Sequence, residues 1–206
     1  MPAVSTSLET EKKRLRTRLR QQRRNLLPSQ VVLKSQQVCT RLCSNSFFRT
    51  AQTIILYSPH ENEVETDDIW QVARDQGKVV YYPRISQDKC DLEFVRRYNG
   101  DRLITGTFDI CIPPGNDLLE RVGDRDIVLT PGVGFDRSGH RLGRGRGYYD
   151  RAFDKILAGA IRIGLAYDFQ LVPQVPTDTH DALLDYIITE TQLSECSGRN
   201  SNRVFA

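Results

Sequence analysis

With 206 residues, 39% hydrophobic and 27% charged, the chain has the size and composition of a single folded domain able to bury both faces of a sheet. No run approaches the roughly 20 apolar residues needed to cross a bilayer, so a membrane-spanning helix is excluded and no membrane partner is expected. A formal net charge of +3 does not by itself indicate a nucleic-acid binder, although basic residues gather at 12–24 and 137–151.

The opening segment, MPAVSTSLETEKKRLRTRLRQQRR, lacks the apolar centre of a secretory signal, and a cytoplasmic location is the expectation. Residues 6–27 read as a helix: Thr6 and Glu9 have capping-box spacing, Leu8, Leu15, Leu19 and Leu26 share a stripe, and Pro28 ends it. A second helix follows, with Ser29 as its N-cap and Val31, Val38 and Leu42 on one side. Thr53–Tyr57, a β-branched apolar run, reads as a buried strand. Thr66 then caps a helix carrying Ile69, Val72 and Ala73 and ending at Gly77, and Val79–Pro83 is the next strand. Strand, helix, strand is the order of a crossover onto a parallel sheet.

From Leu92 to Pro114 the pattern weakens: LEFVRRY alternates as a strand does, and TGTFDICIPPG reads as extended chain closing in a proline turn. Asp126–Pro131 is a strand, a helix covers Tyr148–Leu157, and strands follow at Ile161–Tyr167 and Asp185–Glu190. Residues 1–195 are expected to form one domain and 196–206 a loose polar tail. Five cysteines without CxxC spacing suggest neither disulfides nor zinc, and His60, His140 and His180 share no ligand spacing.

Chemistry concentrates between Pro131 and Arg151, where six glycines alternate with Arg137, Arg141, Arg144 and Arg146 ahead of a helix. Glycines let backbone N–H groups turn toward an anion and arginines grip phosphate oxygens, so the loop reads as a phosphate cradle at the end of a strand. It is neither a Walker A loop nor a GxGxxG turn; an RGG-like nucleic-acid segment is the competing reading. Asp150, in the first helical turn, suits either a Mg²⁺ beside nucleotide phosphates or the helix dipole. Asp185 is equally ambiguous. Lys12 and Arg16, four apart, either face solvent or reach the nucleotide.

These residues resemble the 5-formyltetrahydrofolate cyclo-ligase family along nearly the whole chain. The likeness rests on Lys12-Lys13-Arg14-Leu15-Arg16, on Glu63-Val64-Glu65-Thr66, on Pro131 to Asp150, and on Val175-Pro176 through Asp185. The long loop is specific in combination; the shorter elements alone are not. Arg146 stands where many members have glycine, and SGRNSNRVFA runs past the usual end.

The resemblance implies one α/β domain, a three-layer α/β/α sandwich on a mostly parallel central sheet; a monomer is the expectation. It implies an enzyme that uses ATP to cyclise 5-formyltetrahydrofolate to 5,10-methenyltetrahydrofolate, with Mg²⁺ as cofactor. It assigns ATP contacts to Lys12, Arg16, Arg141, Gly143, Arg144, Gly145, Arg146, Gly147, Tyr148 and Tyr149. Folate contacts fall to Ser58, Glu63 and the Arg144, Gly145, Arg146, Gly147 and Tyr148 stretch, with Phe108 a candidate aromatic wall. Arg141 and Arg144 are the catalytic cations, and Asp150 and Asp185 the metal ligands. The alternatives are a divergent ATP-binding paralogue, for which Glu63 is the discriminator, and a nucleic-acid-binding module using both basic segments.

Overall fold

Neighbouring residues in the central strands bury opposite faces, as a sheet covered on both sides requires. The computed structural model describes residues 3–178 and 181–198. Its helices are α1 (Ala3–Arg24), α2 (Pro28–Cys43), α3 (Ser46–Thr50), α4 (Asp67–Asp75) and α5 (Tyr148–Asp154). The strands are β1 (Thr53–Ile55), β2 (Val79–Ile85), β3 (Leu92–Arg97), β4 (Ile104–Thr105), β5 (Cys111–Ile112), β6 (Ile127–Thr130), β7 (Gly134–Phe135), β8 (Arg141–Leu142), β9 (Ile161–Leu165), β10 (Tyr186–Ile188) and β11 (Leu193–Glu195).

Seven strands form one sheet in the order β11-β10-β9-β6-β1-β2-β3. The inner pairs are parallel, with Ile54 opposite both Val80 and Ile127, and Ile127 opposite Ile161. Only β3 and β11, at the edges, run antiparallel. Ile54, Leu56, Ile127, Leu129 and Ile188 pack with residues of α2, α3 and α4, whereas Ile55, Val128 and Ile187 pack with Ala152 and Phe153 of α5. This is the expected three-layer α/β sandwich, with the α5 side thinner.

A third, smaller apolar cluster sets α1 apart from these layers. Leu19 packs with Val133, Leu142, Val172 and Val175, so α1 lies over the two-stranded β7–β8 hairpin rather than on the sheet face.

Several element ends differ from the sequence expectation. Helix α1 begins at Ala3, so Thr6 falls inside it, and Glu9 pairs with Arg16 instead of closing a cap. Pro28 does not merely stop α1 but opens α2 after Leu27, whose N–H donates to Gln30 Oε1 at 2.9 Å, displacing Ser29 from the cap. Thr66 does precede α4, yet its hydroxyl donates to the Tyr57 carbonyl at 2.8 Å rather than capping. The weak stretch holds a β4–β5 hairpin around a 3-10 turn, Thr107–Asp109. Helix α5 stops at Asp154, short of Leu157. Beyond residue 195, Cys196 is buried and bonds Asp185 O, and Gly198 bonds Ser138 O; positions 199–206, like His180, lie outside the described residues.

Candidate functional site

A cavity of about 650 Å³ opens beyond the carboxyl ends of β1, β2 and β6. The chain leaves β1 for β2 on one side and later places β6 on the other, and ligands of open parallel sheets bind at such a reversal. Helix α1 and the β4–β5 hairpin supply the remaining walls.

The polar turn after β1 carries Ser58, His60 and Glu63 into the cavity. Ser58 Oγ is hydrogen-bonded to the Cys111 carbonyl, tying this turn to the hairpin. Glu61 and Asn62 both adopt left-handed backbone, φ 52° and 58°, which side-chain-bearing residues rarely do without outside support. Helix α1 provides that support: Asn62 Nδ2 donates to the Arg23 and Leu26 carbonyls, Arg20 and Arg24 meet the Glu61 carboxylate at 2.7 and 2.6 Å, and Arg23 Nε donates to Glu61 O at 2.9 Å. Hydrogen bonds from Arg20 and Arg24 hold the Glu61 carboxyl down at about 2, despite partial burial.

Arg23 is almost wholly buried; it also donates to Gly132 O at 3.1 Å and lies 3.5 Å from Glu63 Oε1. Burial pulls its guanidinium below the ordinary arginine value, an effect that Glu63 and Glu61 oppose. Glu63 is itself buried: one oxygen accepts the His60 N–H at 3.1 Å and the other faces Arg144 at 3.2 Å. Next to it, burial and then the Glu63 charge push the Tyr57 phenol well above its usual range.

The glycine–arginine loop forms the opposite wall. Arg141 is nearly buried, meets Asp150 Oδ1 at 3.0 Å and lies over the Tyr149 ring, while its Nε and the Tyr149 hydroxyl make no hydrogen bond among the described residues. Arg16 crosses from α1 and donates through Nε to Gly143 O at 3.0 Å. Gly145 (φ 93°) and Gly147 (φ 64°) take left-handed backbone, and a Cβ on Gly145 would stand 3.3 Å from the Arg16 guanidinium. Arg146 stacks on Phe108 of the hairpin at 4.5 Å, and the Tyr148 hydroxyl donates to Lys89 O at 3.1 Å. Lys12 faces Asp181 at 2.9 Å.

Of the residues singled out in the sequence, Lys12, Arg16, Ser58, Glu63, Arg141, the run Gly143 to Tyr149, and Asp150 all line this cavity, as does Phe108. Asp185 does not. It is 1% exposed just before β10, and its Oδ2 accepts the Arg162 N–H at 2.8 Å. Asp150 fits a magnesium ion carried by nucleotide phosphates, since a hard cation of that kind needs only one or two protein carboxylates. Among the described residues no three His, Cys, Asp or Glu side chains converge as a self-sufficient metal site. His60, Arg84 and Asp181 also line the cavity and Arg23 lies against Glu63, none of them singled out in the sequence as a site residue.

Comparison with known proteins agrees with the geometry. The chain is 27% identical to mouse (Mus musculus) 5-formyltetrahydrofolate cyclo-ligase, over 91% of this chain and 97% of that protein. With the Haemophilus influenzae 5-formyltetrahydrofolate cyclo-ligase it shares 32% identity over 88% of this chain and 100% of the relative. The solved structure of Aquifex aeolicus 5,10-methenyltetrahydrofolate synthetase superposes with a TM-score of 0.78 at 28% identity, covering 94% of this chain and 96% of that one. The Mycoplasma pneumoniae 5,10-methenyltetrahydrofolate synthetase gives 0.70 at 26% identity, over 87% and 99%. A sequence model of the 5-formyltetrahydrofolate cyclo-ligase family matches residues 8–190, and the chain belongs to that family.

Proposed function

We propose that the protein closes 5-formyltetrahydrofolate to 5,10-methenyltetrahydrofolate at the expense of ATP, releasing ADP and phosphate. The observation that carries this reading is the position of Arg144. Its guanidinium lines the same cavity as Lys12, Arg16 and Arg141, and it touches Glu63, so phosphate-side and folate-side groups share one enclosed space.

A formamide oxygen is a poor leaving group, and phosphorylation makes it a good one. The formyl oxygen attacks the γ-phosphorus and ADP departs; N10 then attacks the activated carbon, loses its proton, and the phosphate leaves with that oxygen. The substrate is the nucleophile, which accounts for a cavity furnished with cations and carboxylates. Phosphoryl transfer depends on positioning and on charge stabilisation. Arg141, preset by Asp150 and with Nε uncommitted, and Arg144 stabilise charge on the transferring group. Lys12, Arg16 and the loop backbone from Gly143 to Tyr149 hold the triphosphate. Asp150 holds Mg²⁺, which neutralises phosphate charge when bound.

On the folate side, Glu63 accepts from the pterin's N–H groups, Ser58 and Tyr148 line the ring site, and Ile85, Leu92, Ile110 and Ile112 supply an apolar wall beside Phe108. The nucleic-acid alternative loses support because Lys12 and Arg16 face the cavity and Arg20, Arg23 and Arg24 are occupied by the Glu61 turn. Incubating purified protein with MgATP and 5-formyltetrahydrofolate, and following methenyl product and ADP together, tests the proposal. One-to-one formation supports it; product without ATP, or salt-sensitive RNA binding without turnover, overturns it.

A further inference from the structure

We infer that His60 is a catalytic residue of ring closure: its imidazole accepts the proton that N10 releases. The inference rests on the cyclisation reading above. As N10 forms its bond to the activated carbon it sheds one proton, and the phosphate leaves best if it carries one away when the carbon–oxygen bond breaks. A group that takes the first proton and gives it up to the departing phosphate serves both events.

Few groups in the cavity can do this. Glu9, Glu63, Asp150 and Asp181, the carboxylates that line it, each face a cation: Arg16 at 2.9 Å, Arg144 at 3.2 Å, Arg141 at 3.0 Å and Lys12 at 2.9 Å. Protonating any of them would undo that pair. Burial raises the Tyr57 and Tyr149 phenols, which therefore stay protonated and cannot accept, and the Tyr148 hydroxyl donates to Lys89 O. The other ionisable groups lining the cavity are lysine and arginine cations, apart from His60. An imidazole carries a lone pair on one ring nitrogen when neutral and becomes a proton donor once charged.

The placement of His60 suits the task. It lines the cavity on the turn between β1 and α4, and its N–H donates to Glu63 Oε2 at 3.1 Å, beside the carboxylate assigned to the pterin. The backbone that follows it is held in left-handed conformation at Glu61 and Asn62 by contacts from α1. The charged groups of this turn and its neighbours, Glu61, Glu63, Arg20, Arg23, Arg24 and Arg144, pair with one another. Among the described residues the His60 ring itself makes no hydrogen bond or ion pair, so a fixed backbone presents an uncommitted base to the folate half of the cavity.

The test is single-turnover mixing of the wild type, His60→Gln and His60→Ala with MgATP and 5-formyltetrahydrofolate, following ADP and the methenyl product separately, with melting temperatures as the control for folding. Both substitutions keep the backbone N–H that Glu63 accepts. In His60→Gln, ADP is expected to form at the wild-type rate while methenyl product slows by about 10² or more, the scale of general acid–base catalysis. ADP therefore runs ahead of methenyl product, a gap that the wild type does not show. Imidazole added to His60→Ala restores part of the methenyl rate and leaves ADP formation as it was.

Methenyl formation that keeps pace with ADP formation in both variants overturns the inference. Equal slowing of the two products, with or without a lowered melting temperature, assigns His60 to the shape of the turn and overturns it too. If the wild type forms no methenyl product from MgATP and 5-formyltetrahydrofolate, the cyclisation reading fails and takes this one with it; if the wild type turns over and the variants match it, this inference alone fails.

Discussion

Helix α1 and the loop from Arg141 to Arg151 are the two basic regions of the chain, and they place their cations differently. On α1, Arg20, Arg23 and Arg24 end on the Glu61–Glu63 turn and on Gly132 O. In the loop, among the described residues, Arg144 is 39% exposed and pairs only with Glu63, and Arg146 has the Phe108 ring but no acidic partner. Arginines held by protein carbonyls and carboxylates build a wall. Arginines with donors in reserve face what enters the cavity. Local sequence does not separate the two kinds, since both regions read as basic runs.

The comparison is broken most severely at its buried end. Arg23→Met leaves Glu61 O and Gly132 O short of a donor and the Glu63 carboxylate short of a buried cation, and a loss of about 3–5 kcal/mol in unfolding free energy is expected, as for breaking a buried pair. Denaturant unfolding measures it; a change below about 1 kcal/mol means the clamp is not structural. Arg141→Ala tests the loop. Turnover falls by about 10² or more, the scale of one preorganised donor, while circular dichroism stays that of the native fold. Near-normal turnover removes Arg141 from the chemistry.

Acid sharpens the α1 side. The Glu61 carboxyl titrates at about 2 when folded, below the ordinary 4.5, so its stabilising contribution is present above about pH 4.5 and is lost as pH falls toward 2. Melting curves of the wild type and Glu61→Gln should therefore differ at pH 6 and converge near pH 2; curves that stay parallel over that range disprove the clamp's charge. The smallest effect belongs to Arg24→Ala, whose side chain is 53% exposed: under about 1 kcal/mol, and less at high salt.

Much of the sheet was legible because its central strands are continuous β-branched runs, TIILY and DIVLT, which little else in a soluble chain accommodates. The β4–β5 hairpin was not, because two-residue strands carry no period to read. Strand β11, LSE, fails to announce itself for the same reason: it pairs at an edge, where one buried residue, Ser194, suffices. For the site, residue types and spacing pointed to the loop and left the α1 pair open between solvent and nucleotide, while Glu63 entered through the family resemblance. They left Asp185 ambiguous, because a carboxylate ahead of an apolar strand looks the same whether it enters a cavity or accepts a neighbouring strand's N–H. Asp181 and Arg23 were invisible because their partners lie far along the chain, and nothing local encodes a partner at that distance.

The contacts of α1 also bear on the order in which the molecule is made. Arg16 waits for Gly143, 127 positions on, and Lys12 for Asp181, 169 positions on. Synthesis delivers α1 before either partner. The helix leaves the ribosome with its basic side uncovered and acquires these cavity contacts only once the loop at Gly143 and then Asp181 have followed. Local helix formation and the completion of the cavity wall are thus separated by more than a hundred residues of translation.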